Sequence, residues 1–179
     1  MANVSWYVAR SAGVVAWALL TASTAWGLGL SGRMFSGGGR LPRPAWVLDL
    51  HRYLGGLASV FVATHVLFVV ADTYVHFGLA DVLVPFASSW RPSAVAWGVV
   101  AMWLLVAVEV TSLLRTRLPK RLWRRVHYLS LPLFALATLH GLTAGTDSRT
   151  PLGVVTAIGV TAFVGGLAAV RFQPPEVAR

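Results

Sequence analysis

Four of the five histidines in this 179-residue chain fall within two apolar stretches: His51 and His65 fourteen residues apart, His127 and His140 thirteen apart. An ionisable side chain is costly inside so apolar a span and is a functional candidate by default. Neutral imidazole is also a common ligand for iron. The chain has no cysteine, which excludes disulfides, iron–sulfur clusters and thiolate ligation. Any metal must be held through histidine or oxygen.

A haem with two axial histidines needs one imidazole from each of two facing helices at equal depth. On a helix His65 lies about 21 Å beyond His51, at about 1.5 Å per residue. If both stretches start from the same side of a membrane, His127 matches His51 in depth and His140 matches His65. The expected pairs are therefore His51/His127 and His65/His140. Two haem b per chain follow, since no Cys-x-x-Cys-His is present for covalent attachment. Zinc or copper would recruit acidic or sulfur ligands, and about 20 Å between the pairs is too far for one shared centre. Four packing histidines satisfied by hydrogen bonds between helices are the plain alternative, and the matched depths argue against it.

Facing is less tidy than depth. At about 100° per residue, fourteen steps fall about 40° short of four turns, whereas thirteen fall about 140° short. His127 and His140 thus do not share a face of a straight helix. Pro132 lies between them, and a proline that kinks the helix could reorient one half against the other.

The elements that position these residues are membrane helices. The chain is 56% hydrophobic and 12% charged, with a mean hydropathy of +0.69, more than a water-soluble domain of this size could hide. Five stretches approach the roughly 20 apolar residues that a helix needs to cross a bilayer. They are Ser11 to Leu30, Tyr53 to Ala71, Pro92 to Leu114 interrupted by Glu109, Val126 to Thr146, and Thr150 to Val170. The expected fold class is all-α: one integral membrane bundle of five transmembrane helices at about residues 5–30, 46–73, 92–114, 123–145 and 150–171. The first is read as a retained helix, being too long for a cleaved signal, and no soluble flavin or nucleotide domain is expected.

The net charge of +9 does not point to nucleic acid, because the cations are distributed by side. Arg33, Arg40, Arg43, Arg52, Arg115, Arg117, Lys120, Arg121, Arg124, Arg125, Arg171 and Arg179 fall at alternate helix ends, against Arg10, Arg91 and Arg149 at the opposite ends. The richer side should be cytoplasmic, with the N-terminus outside and the C-terminus inside a multi-pass plasma-membrane protein. The Gly-, Pro- and Arg-containing stretch from Ser31 to Ala45 reads as a flexible cytoplasmic connection. The outer stretch from Tyr74 to Arg91 suits a short interfacial helix interrupted by Pro85. Trp6, Trp26, Trp46, Trp90 and Trp123 read as an aromatic belt.

The pattern His51-Arg52-x-Leu54-Gly55 followed by His65, then Trp123-Arg124-Arg125-x-His127 followed by His140-Gly141, resembles the ferric reductase-like transmembrane domain. That family includes ferric reductases, the membrane halves of NADPH oxidases and the haem subunit of a bacterial methionine sulfoxide repair system. The resemblance implies two stacked b haems with bis-histidine ligation, and electrons passing from an inner donor to an outer acceptor. Members usually have six helices, and the reductase branch carries a cytoplasmic flavin and nicotinamide domain. This chain has no Gly-rich nucleotide fingerprint. Flavin is therefore expected only on a partner, and the donor is a separate flavoprotein, a ferredoxin-type protein or a quinol.

Arg52, Arg124 and Arg125 adjoin the inner ligands and are suited to pairing with haem propionates, or else with lipid headgroups. Glu109 could accept a proton, approach a quinone or pair with a nearby arginine. His76 and Arg91 lie on the outer side, where an acceptor would bind. Gly55, Gly56 and Gly141 would let a flat macrocycle or a neighbouring helix approach the backbone. The chain thus reads as a di-haem transmembrane electron-transfer cytochrome, the membrane haem subunit of a ferric reductase-like oxidoreductase that needs a separate donor. Its rivals are a quinol-linked subunit of a periplasmic repair or reductase complex and a haem-binding sensor or assembly protein without turnover.

Overall fold

A computed structural model of the protein describes residues 2–31, 45–73, 75–146 and 150–173. Its helices, in chain order, are α1 (Ala2–Ser31), α2 (Ala45–Val70), α3 (Leu79–Leu83), α4 (Pro92–Leu113), α5 (Lys120–His127), α6 (Ser130–Ala144) and α7 (Pro151–Phe172). No strand occurs among the described residues. The loop cations Arg33, Arg40 and Arg43, together with Arg149 and Arg179, lie outside them.

Four helices, α1, α2, α4 and α7, are long and apolar enough to cross a membrane. The remaining expected span is divided into α5 and α6. The 15 residues of α6 rise only about 22 Å, short of the roughly 30 Å of a hydrocarbon core. The break has a local cause. Pro132 has no N–H to give the Tyr128 carbonyl four residues back, and that carbonyl accepts from Leu131 N–H at 3.2 Å instead. Leu129 N–H likewise bonds Val126 O at 2.9 Å, a tighter turn than an α-helix makes. The connection before α4 follows similar chemistry. Asp81 accepts the Gly78 N–H at 2.7 Å as α3 starts, and α3 stops at Leu83, just before Pro85.

Two antiparallel hairpins form the frame: α1 packs along α2, and α4 packs along α6 with α5 at one end. By contrast α2 and α6, which carry three of the four intramembrane histidines, make at most marginal backbone contact with each other. On α2 one side reads His51, Ala58, His65 at seven-residue spacing, with Ala58 only 1% exposed. The lipid-facing side reads Tyr53, Val60, Leu67, all about two-thirds exposed. Seven-residue spacing keeps a stripe on one face of slightly crossed helices.

The buried core of the bundle is made mostly of small and aliphatic residues, with Phe134 among them. Ala101, Leu105 and Leu133 form a cluster against which Leu20, Val62, Leu136 and Ala137 pack. It occupies the level between the two histidine pairs. At that level Trp17 Nε1 donates to Thr138 Oγ1 at 2.9 Å, tying the first hairpin to the second. The peripheral α7 starts with Thr150 capping Gly153 N–H and Pro151 at its first position. At the basic end Arg171 Nε donates to Ser31 Oγ at 3.0 Å, so α7 and α1 finish at the same level.

Candidate functional site: two facing histidine pairs

The histidines meet in the two expected pairs. The His51 and His127 rings lie 6.0 Å apart, and the His65 and His140 rings 6.2 Å apart, centre to centre. Both pairs have ring planes at 77°. Because α5 and α6 are separated by the Tyr128–Leu129 turn, His127 and His140 face the same neighbour although thirteen residues of straight helix would turn them apart.

Each ring is held from behind. His65 Nδ1 donates to the Ala9 carbonyl at 2.7 Å and His140 Nδ1 to the Ala94 carbonyl at 2.8 Å. His51 Nδ1 lies 3.1 Å from the Ser23 carbonyl and 3.3 Å from Ser23 Oγ. A carbonyl can only accept, so these three imidazoles carry their proton on Nδ1 and keep the Nε2 lone pair free for a metal. His127 differs: its Nδ1 is 3.4 Å from the Ser112 hydroxyl, which can give or take a proton.

Glycines make room for the rings. A Cβ on Gly13 would come within 2.9 Å of His65, on Gly27 within 3.0 Å of His51 and on Gly98 within 2.7 Å of His140. These are not the glycines that the sequence singled out. Gly56 and Gly141 are exposed and a Cβ there would meet nothing within 4 Å, while one on Gly55 would meet Glu109 Oε1 at 2.9 Å.

The donor set fits a bis-histidine haem. With about 2 Å from metal to nitrogen and about 1.1 Å from nitrogen to ring centre, imidazoles on opposite sides of one metal have centres about 6.2 Å apart. Both pairs have that separation, and they span two helices that do not close on each other. Among the described residues no third histidine or carboxylate joins either pair to make a group of three. Such a two-nitrogen set suits the axial positions of a macrocycle better than a tetrahedral zinc.

The basic end adds groups of its own. Trp123 stacks on His127 with ring centres 5.2 Å apart, and its indole N–H is buried without a partner. An orphaned buried donor beside the His127 imidazole suits an acceptor such as a carboxylate. In the sequence Trp123 stands in the aromatic belt and opens the Trp123-Arg124-Arg125-x-His127 pattern, without a role of its own beside the histidine. Arg124 and Arg125 are exposed on α5, and Arg52 pairs with Asp49 at 3.1 Å on the exposed side of α2. Glu109 makes no ion pair among the described residues; its carboxylate lies against α2 at Gly55, one turn beyond His51.

At the opposite end Arg91 donates to Thr143 O at 3.0 Å, at the end of the helix bearing His140, and lies over the Trp90 ring. Its backbone is left-handed, with φ at 43°, a conformation that costs about 1–3 kcal/mol for a non-glycine residue. His76 is exposed and does not join the His65/His140 pair.

A family model described as the ferric reductase like transmembrane component matches residues 12–138, taking in three of the four histidines and ending two residues before His140. No curated protein and no solved structure matches the chain.

Proposed function

We propose that this chain, which belongs to the ferric reductase like transmembrane component family, is a di-haem b cytochrome that carries electrons across the plasma membrane. His51 and His127 would hold the inner haem, His65 and His140 the outer one. The observation that carries this reading is the repetition of one ligand geometry at two depths, with ring centres 6.0 and 6.2 Å apart. Haem iron supplies one-electron transfer between its ferric and ferrous states.

The residues of the chain do the rest. The backbone carbonyls of Ala9, Ser23 and Ala94 hold the imidazoles with Nε2 forward, and the apolar layer around Leu105 keeps water from the space between the two levels. Arg52, Arg124, Arg125 and Trp123 offer donors to propionates at the inner level. In this reading α5, the turn and α6 together make the fourth of five spans. The basic loops face the cytoplasm, so the N-terminus is outside. A cysteine at Ser89 should then react with an impermeant reagent in intact cells and one at Arg117 should not; the reverse pattern overturns the orientation.

A flavoprotein, a ferredoxin-type protein or a quinol would supply the electrons on the inner side, and the acceptor would bind outside. Vesicles loaded with reductant and carrying the protein should reduce an external ferric chelate. Haem-loaded vesicles that pass no electrons to any outer acceptor would leave a sensor or assembly protein and sink this reading.

A further inference from the structure

The three carbonyls and three glycines behind the imidazoles obey one rule. Ala9 precedes Gly13 by four residues, Ser23 precedes Gly27 by four, and Ala94 precedes Gly98 by four. In an α-helix the carbonyl of residue i lies beside residue i+4. Removing the side chain at i+4 therefore opens a notch through which a ring from the next helix reaches the carbonyl. Each histidine enters such a notch: His65 at Ala9/Gly13, His51 at Ser23/Gly27, His140 at Ala94/Gly98.

The notches also form a repeat. Gly13 and Gly27 are fourteen residues apart on α1, and fourteen residues beyond Gly98 on α4 stands Ser112, the residue that touches His127. Midway between them are Leu20 and Leu105, both in the central apolar layer. Ala9, Ala16, Ala94 and Ala101 keep the same register and are all buried. The frame is thus two copies of one hairpin, a notched helix followed by a histidine helix, facing each other across the haem level. The second copy departs at one place. At the fourth notch the glycine is replaced by Ser112, and the carbonyl four residues before it, Val108 O, accepts from Thr111 Oγ1 at 3.2 Å.

We infer that Gly13, Gly27 and Gly98 are positioning residues that key the haem ligands to backbone carbonyls, and that Ser112 leaves His127 the one ligand without such a key. The inference rests on the di-haem reading. An imidazole that donates through Nδ1 to a carbonyl is fixed in tautomer and orientation and is a more basic ligand; loss of such a partner typically lowers metal affinity about 10- to 100-fold. His127 is then the most weakly oriented of the four ligands. The inner haem is the first to lose six-coordination.

The test is haem content and spectrum of the purified full chain, with activity left aside. Gly98→Val should drive His140 out of its notch and lower retention of the outer haem by about 10- to 100-fold, with the inner haem kept. Gly98→Ser copies the group naturally present at the fourth notch and should keep both haems, with the outer one shifted spectrally toward the inner. Ser112→Gly should open the fourth notch, strengthen retention of the inner haem and lower its potential, since a more basic ligand favours ferric iron. Two haems with native spectra and potentials in all three variants would overturn the inference and leave the di-haem reading standing. A wild-type protein that binds no haem would remove that reading itself. If Gly98→Val fails to assemble, Ser112→Gly alone decides: an unchanged inner haem counts against the role of the notch.

Discussion

The outer and inner histidine pairs share a ring separation and an interplanar angle, yet they are built from different partners. At the outer pair both imidazoles donate to backbone carbonyls, at 2.7 and 2.8 Å. Carbonyls fixed in helices cannot move without disturbing the fold, so that pair is oriented by the bundle itself. At the inner pair the contacts lengthen to 3.1 Å for His51 and 3.4 Å for His127, and two serine hydroxyls take part. The inner level also gathers, among the described residues, an unpartnered indole N–H on Trp123, the Glu109 carboxylate and the arginines of α5. The difference suits an inner site that exchanges charge with a donor and an outer site whose geometry is fixed.

The largest effect expected from this contrast comes from the ligands. His65→Ala or His140→Ala should remove the outer haem and leave the inner one reducible but unable to deliver electrons outside. His51→Ala or His127→Ala should remove the inner haem and stop uptake from the donor. Optical spectra of assembled variants check this, since a haem that binds only the folded chain also stabilises it. Loss of the same spectral component from His51→Ala and His140→Ala would break the pairing.

A smaller effect is expected at Pro132. In Pro132→Ala an N–H becomes available for the Tyr128 carbonyl, the turn between α5 and α6 can close into continuous helix, and His127 rotates away from His51. Haem loss should be partial and confined to the inner site. Equal loss from both levels would mean that the break serves the whole bundle. The smallest effect belongs to Glu109→Gln. Where the Glu109 carboxyl is ionised, replacing it by an amide beside Gly55, one turn from His51 on α2, should raise the inner potential in a redox titration and leave the outer one in place. Equal shifts at both haems would remove Glu109 from the inner site.

The legible part of this molecule in its sequence was the part governed by period and depth. Four histidines at matched rises, a proline at the point where their faces disagreed, and Pro85 two residues past the end of α3 all carry local signals. The notches carried none that a single helix could reveal. Gly13, Gly27 and Gly98 look like ordinary glycines of a membrane helix until the antiparallel pairing sets them against histidines 52, 24 and 42 residues away, respectively. Gly56 and Gly141 were plausible by nearness to the histidines in sequence, but at about 100° per residue Gly141 turns about 100° away from His140, and Gly56, five residues on, about 140° away from His51. Glu109 offered several partners in sequence, and three-dimensional packing set it against Gly55 instead of an arginine. The division of the fourth span was anticipated as a reorientation at Pro132; that it leaves α6 at 15 residues is a consequence only the backbone hydrogen bonds display.

The most direct test of the central claim is a pyridine haemochrome assay on the purified, fully loaded protein. Two ligand pairs of equal ring separation predict two non-covalent haem b per chain, both six-coordinate and low-spin. A fully loaded sample with one haem per chain, or a folded protein that binds none, would contradict it.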